Sequence, residues 1–206
     1  MIDRLIDIAE CEIGAFEPYG DDKYIRYYNE TGGMNFDMDV AWCAIFVTWC
    51  KAMAGIERTV IPHFASCDLG MNWFKKKRKW QKGRAYGGDY IPKKGDIIFF
   101  SSKYDENDST HVGIVTGISG SAVSTVEGNS SNRVRRRSYS MASKYIIGYA
   151  TPDYQKGYTP YKVKKGDSLW KIAKNELGEG ERYVEIMKIN SMEDTIIYPD
   201  DIIYLP

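Results

Sequence analysis

The 206-residue chain has only two histidines, His63 and His111, four cysteines, and no net charge, since 28 Lys and Arg balance 28 Asp and Glu. Each scarcity removes a class of protein. A catalytic zinc site usually takes two or three histidines, and with no HxxxH or HExxH spacing the chain lacks the ligands of a zinc hydrolase. Neither GxGxxG nor GxxxxGK[ST] occurs, so no phosphate-cradling loop is expected. Charge neutrality leaves no global field to draw in nucleic acid or an anionic membrane. The longest mostly apolar run without a charge, residues 40–50, falls well short of the roughly twenty needed to span a bilayer. Four cysteines with no CxxC pair do not make a disulfide scaffold, so reduced thiols are the default. The start, Met1-Ile2-Asp3-Arg4, has no basic segment followed by an apolar one, which predicts synthesis in the cytoplasm without a signal peptide.

What is present reads as an ordinary globular chain, 43% hydrophobic and 27% charged. Ile2, Leu5, Ile6, Ala9 and Ile13 form the stripe of an amphipathic helix. A second helical stretch carries Tyr24, Tyr27 and Tyr28 and ends at Thr31-Gly32-Gly33. Residues 42–54 are apolar nearly all round and should be the central helix of the core, and Ser66 can cap a fourth that ends in Lys75 to Lys79. After Gly95 the period shortens, with β-prone runs over 96–100, 111–116, 122–127, 134–139 and 146–150. Helices first and strands after them predict an α+β domain with an antiparallel sheet. Residues 153–159 resemble a linker between a first domain, 1–152, and a second, 160–206, that reads strand, helix, helix, strand.

Chemistry concentrates in three places. Cys43 falls on the first turn of the apolar helix, where free backbone N–H groups and the helix dipole favour a thiolate. Cys50, further along the same stripe, should stay protonated and inert. His111 opens a β-run after a polar loop, where an imidazole can keep a pKa near neutrality beside a cleft. Glu127 and Asn129, two apart at a strand end, face the same way. A three-residue turn at Ile118-Ser119-Gly120 would put His111 directly across from Glu127, whereas a two-residue turn would send them to opposite faces; the first register is expected. Nucleophile, base and orienting acceptor then come together, and acyl transfer through a thioester is the chemistry implied.

These segments also carry a resemblance. Trp42-Cys43-Ala44-Ile45-Phe46-Val47, Pro92-Lys93-Lys94-Gly95-Asp96-Ile97-Ile98-Phe99-Phe100, His111-Val112-Gly113-Ile114-Val115 and Glu127-Gly128-Asn129 are similar, in order, to the motifs of the CHAP family, papain-like amidohydrolases and peptidases that cut peptidoglycan. The resemblance covers about residues 1–152 and implies a papain-like α+β fold, with Cys43 as nucleophile, His111 as base, and Glu127 orienting the imidazole, a role Asn129 could share. Ala41 stands where many members have Pro. Some phage relatives bind calcium; Asp37 and Asp39 lie near Cys43 but form no such ligand series, so no metal or other cofactor is expected.

The tail resembles a different family. Tyr161-Lys162-Val163-Lys164-Lys165-Gly166-Asp167-Ser168-Leu169-Trp170, Asn190, and the ending Tyr198 to Pro206 are similar to the LysM module, which binds N-acetylglucosamine-containing glycans. The likeness implies a groove near Gly166, Asp167, Ser168 and Asn190, residues whose types equally suit capping and turning. Together the two resemblances imply a monomeric cell-wall amidase or endopeptidase tethered to its glycan, with neither nucleic acid nor membrane as partner, released in the manner of a phage endolysin. A non-catalytic wall-binding protein is the alternative. The basic runs Lys75 to Lys79 and Arg133 to Arg137 read as solvated surface, the second suiting an edge strand.

Overall fold

The computed structural model describes residues 1–16, 23–32, 34–37, 39–155, 158–190 and 192–206. Gly33 and Gly157, read above as breaker and linker, lie outside them. The chain divides into two compact units, Ile2–Asp153 and Tyr154–Pro206. Among the described residues no helix is long and apolar enough to cross a membrane.

In the first unit, α1 (Ile2–Cys11), α2 (Lys23–Gly32), α3 (Cys43–Met53) and α4 (Cys67–Lys76) precede a six-stranded sheet. The strands are β1 (Trp80–Lys82), β2 (Ile97–Phe100), β3 (His111–Ser119), β4 (Ala122–Glu127), β5 (Arg135–Ser140) and β6 (Ile146–Ala150), in the order β1-β6-β2-β3-β4-β5. Every pair is antiparallel. The α+β expectation is met, with one strand added: Trp80–Lys82 pairs with β6, though its three residues carry too little alternation to be separated from the basic tail of α4. The basic β5 forms an edge of the sheet.

Helix α3 is the hub. Cys43, Ala44, Ile45, Phe46, Val47, Thr48, Cys50 and Lys51 are all buried, and α3 touches α1, α2, α4, β3 and β4. Such a helix takes its stability from packing on every side rather than from an amphipathic stripe. Tyr24 of α2 stacks on Trp42, ring centroids 5.4 Å apart, and meets Phe46 edge-on. At the end of β4 the backbone comes so close to α3 that a Cβ on Gly128 would sit 2.4 Å from Phe46 Cβ and 2.8 Å from Trp42 Cζ3. Only glycine lets the strand end lie against the helix that carries Cys43.

The second unit holds β7 (Thr159–Lys162), α5 (Leu169–Glu176), α6 (Tyr183–Ile189) and β8 (Ile202–Leu205), with β7 antiparallel to β8. Val163, Leu169, Ile172, Ala173, Ile186, Ile203 and Leu205 make its core.

One local device appears in both units. In Tyr90-Ile91-Pro92-Lys93-Lys94-Gly95-Asp96, Asp96 Oδ2 accepts from Tyr90 OH at 2.8 Å and from the Lys93 N–H at 2.7 Å. In Tyr161-Lys162-Val163-Lys164-Lys165-Gly166-Asp167, Asp167 Oδ2 accepts from Tyr161 OH at 3.0 Å and from the Lys164 N–H at 2.8 Å. Gly95 and Gly166 take φ of 87° and 88°, a left-handed turn open to glycine.

Candidate active site

Three elements converge on Cys43. It is the first residue of α3, and the Trp42 cap position offers no side-chain acceptor, so the free N–H groups of the first turn face whatever lies at the helix tip. Helices α4 and α5, by contrast, are capped by Ser66 and Ser168. His111 opens β3. Its loop is tied to α4 by the Ser109 N–H donating to Asp68 Oδ1 at 2.6 Å, and to β2 by the Thr110 N–H donating to Phe100 O at 2.8 Å. Glu127 closes β4.

The register that joins His111 to Glu127 differs from the expected one. The turn is Gly120-Ser121, two residues, with Gly120 supplying a φ of 57°. Ser119, Ile118 and Gly117 face Ala122, Val123 and Ser124, but Val115 and Ile114 face Thr125 and Val126, so Thr116 is an extra, bulged residue. Without that bulge Glu127 would fall opposite Ile114, on the face away from His111. With it, Glu127 falls beside Gly113, two residues from His111 and on the same face; a Cβ on Gly113 would stand 2.6 Å from Glu127 Cγ. The pair is therefore diagonal, not directly opposed.

Glu127 is 1% exposed and its carboxylate is fully used. Oε2 lies 2.9 Å from His111 Nε2 and accepts from Tyr139 OH at 3.2 Å, while Oε1 accepts from Thr125 Oγ1 at 2.5 Å. With Nε2 held by Glu127, the other ring nitrogen is left for the sulfur, and His111 and Cys43 are close enough to bias each other's titration. Burial opposes the imidazolium, but hydrogen bonds and charge from Cys43 and Glu127 outweigh it and raise the His111 pKa to about 9. The Cys43 thiol is held well below its usual value. A hydrogen bond from Cys67 is the largest cause and overcomes burial, helped by the bond and charge of His111 and by the Val112 N–H. Both shifts favour a thiolate at Cys43 and an imidazolium at His111.

Cys67 was not expected here. It is the first residue of α4 as Cys43 is of α3, and the two Sγ atoms are 3.6 Å apart. Its own thiol is pushed up, first by that same hydrogen bond and then by burial. No sequence signal links residues on separate helices; their shared place after a helix start is the one hint. Tyr139, on the neighbouring strand β5, was likewise hidden, whereas Thr125, two residues before Glu127 on β4 and facing the same way, could have been found from that spacing.

The remaining cysteine and histidine of the core are set apart. Burial pushes the Cys50 thiol up. His63 stacks on Tyr28 at 4.3 Å, and burial with the charges of Arg58 and Lys51 drives its pKa down to about 4. Near neutrality it is an uncharged core residue.

Asn129 has a φ of 54° and lines a cleft of about 540 Å³ together with His111, Glu127, Arg137, Tyr139 and Tyr145. Among the described residues it makes no hydrogen bond to His111, whose partner is Glu127. Arg137 is fixed by its Nε donating to Ser130 Oγ at 2.9 Å and makes no ion pair among the described residues.

In the second unit, Gly166 and Asp167 form the turn described above, and Ser168 Oγ caps α5 by accepting from the Lys171 N–H at 3.3 Å. Asn190 stands at the end of α6, where the loop after the second helix begins. Its Nδ2 donates to Ile186 O at 2.7 Å and Tyr204 O at 2.8 Å, and its Oδ1 accepts from the Tyr204 N–H at 2.8 Å, clamping α6 to β8.

Residues 35–129 match the family model of the CHAP domain and residues 161–206 that of the LysM domain. No curated protein matches the chain. Among solved structures, the crystal structure of Ly7917 with the hydrolyzing product of MDP is similar at 18% identity and a TM-score of 0.46, covering 79% of this chain and 66% of that one. A second crystal structure of Ly7917 is similar at 17% identity and a TM-score of 0.43, with the same coverage. The chain thus spans just under two thirds of that protein's length. The two family models thus match successive stretches of the chain, that of the CHAP domain in the first unit and that of the LysM domain in the second.

Proposed function

We propose that the protein hydrolyses an amide bond of peptidoglycan, with Cys43 as nucleophile, His111 as general acid and base, and Glu127 holding the imidazole. The observation that carries this reading is Cys43 at an uncapped helix tip, close enough to His111 for the two to bias each other's charge, with His111 held at 2.9 Å by a buried Glu127. The Cys43 thiolate attacks the carbonyl carbon, and the oxygen that gains charge lies near the free N–H groups of the first turn of α3. His111 gives its proton to the leaving amine as the C–N bond breaks. A water then passes a proton to His111 and attacks the thioester, releasing the acid and regenerating the thiolate. The bond is either the N-acetylmuramoyl-L-alanine amide or one within the stem or cross-bridge peptide.

The cleft beside His111 and Glu127 supports a peptide as substrate. Its Arg137 offers unpaired N–H donors to a carboxylate, a group that stem peptides carry. The LysM domain holds the enzyme on N-acetylglucosamine-containing glycan and so raises the local concentration of the bond to be cut. In this role the glycan groove runs between the turn of Gly166, Asp167 and Ser168 and the loop that begins at Asn190.

The test is the clearing of a peptidoglycan suspension by the wild type and by Cys43→Ala, with mass spectrometry of the released fragments. Clearing by the wild type alone, with a new free amine on the fragments, is expected. Equal clearing by both overturns the role of Cys43, and clearing by neither favours a wall-binding protein without catalysis.

A further inference from the structure

Amide hydrolysis needs one sulfur, and the site holds two. Cys43 and Cys67 are both free thiols, buried, with Sγ atoms 3.6 Å apart. Each starts a helix, so the backbones beneath them are set by α3 and α4, and a closure would come from rotation about the two Cα–Cβ bonds. A disulfide needs its sulfurs at about 2.05 Å, a closure of roughly 1.5 Å. Of the other cysteines, Cys11 is exposed and Cys50 is buried further along α3.

We propose that Cys43 and Cys67 are a site of reversible disulfide formation, which removes the nucleophile under oxidising conditions and returns it under reducing ones. The two sulfurs are already differentiated for the reaction: the hydrogen bond between them stabilises Cys43 as thiolate and keeps the proton on Cys67. A hydroperoxide is the oxidant. The Cys43 thiolate attacks the distal peroxide oxygen, the O–O bond breaks, and the alkoxide or hydroxide leaves with a proton as alcohol or water, giving Cys43 sulfenic acid. Cys67 sulfur then attacks Cys43 sulfur, the S–O bond breaks, and the departing hydroxide takes the Cys67 proton to leave as water. The two thiols lose two electrons and the peroxide gains them. An external thiol reverses the step by exchange. A nucleophilic cysteine without such a neighbour would continue to the sulfinic acid, which thiols do not reduce. Cys67 thus protects the nucleophile while silencing it.

The switching of activity rests on Cys43 being the nucleophile; the disulfide does not, and mass is therefore read beside activity. Full-length protein in a Cys11→Ser background is treated with hydrogen peroxide and analysed by intact mass, peptide mapping and clearing assay. The expected product is lighter by two hydrogens, maps to a Cys43–Cys67 bridge, has lost activity, and regains both mass and activity with dithiothreitol. In the same background Cys67→Ser should instead gain oxygens at Cys43 and not recover. Oxidation of the Cys67-intact protein straight to sulfinic acid, or a bridge mapping to Cys50, overturns the proposal. A bridge that forms and reverses in a protein with no clearing activity at all would leave the pair standing and sink the hydrolase reading instead.

Discussion

Glu127 Oε2 sits 2.9 Å from His111 Nε2 although the two residues are not partners in the β3–β4 ladder; the bulge at Thr116 turns them to one face, and Gly113 leaves the space between them. The contact is thus made by backbone irregularity and by a missing Cβ. Gly113→Ala should push the carboxylate off the imidazole. We expect a fall in kcat on the order of 10²-fold with the circular dichroism spectrum kept; unchanged kcat would show that Glu127 has room to adjust.

Glu127→Gln keeps the shape but removes the charge. A neutral amide still bonds His111 but no longer stabilises the imidazolium, so kcat should drop by about 10²–10⁴. The His111 pKa should also fall from its raised value, moving the alkaline limb of the rate profile to lower pH. A limb that stays in place would remove Glu127 from that role.

For the wild type the active form needs Cys43 ionised and His111 protonated. Since His111 titrates at about 9, activity should decline as pH rises through that value, and should decline on the acid side only below the ordinary thiol range. A kcat/KM profile that rises monotonically to pH 10 would contradict the ion pair.

Cys67→Ala removes the strongest support of the thiolate. A hydrogen bond to a charged group is worth about 1.5–3 kcal/mol, or about one to two pH units in the Cys43 titration, shifted upward. The pH dependence of iodoacetamide alkylation at Cys43 reads this directly, and Cys67→Ser, which keeps a donor, should lie between.

Asn190→Ala tests a structural role. Loss of two hydrogen bonds from Asn190 to Tyr204 of β8 and of one within α6 should cost about 1–3 kcal/mol and lower the unfolding transition of the second unit in calorimetry. Weakened glycan binding with an unmoved transition would point to direct sugar contact.

Much of this molecule could be read before its coordinates. The strands of residues 97–150 announced themselves through short β-branched and aromatic runs, and α3 through its unbroken apolar character. Cys43 was legible because a helix start is a local property, and Glu127 because it ends a strand. What was hidden depends on atoms far apart in the chain. The Thr116 bulge has no composition of its own, so the pairing beside Glu127 falls two residues from the expected one, at Gly113 instead of His111, while the shared face is kept. The meeting of Cys67 with Cys43 arises from how α4 packs on α3. Asn129 and Glu127 looked equivalent at two residues' spacing, and only the rotation of the chain at a φ of 54° separates them.

The Tyr-x-x-Lys-Lys-Gly-Asp clasp is closed wholly by its own seven residues, and it launches a strand in one unit and a helix in the other. The side-chain clasp is local, while its backbone is tied to a different neighbour in each unit: Gly95 donates to Val115 O and Asp96 O accepts from the Val115 N–H, whereas Val163 bonds to Asp200 and Asp201. Shared wording between two proteins over this stretch alone therefore testifies to a common bend, and says nothing about common ancestry of the modules that contain it.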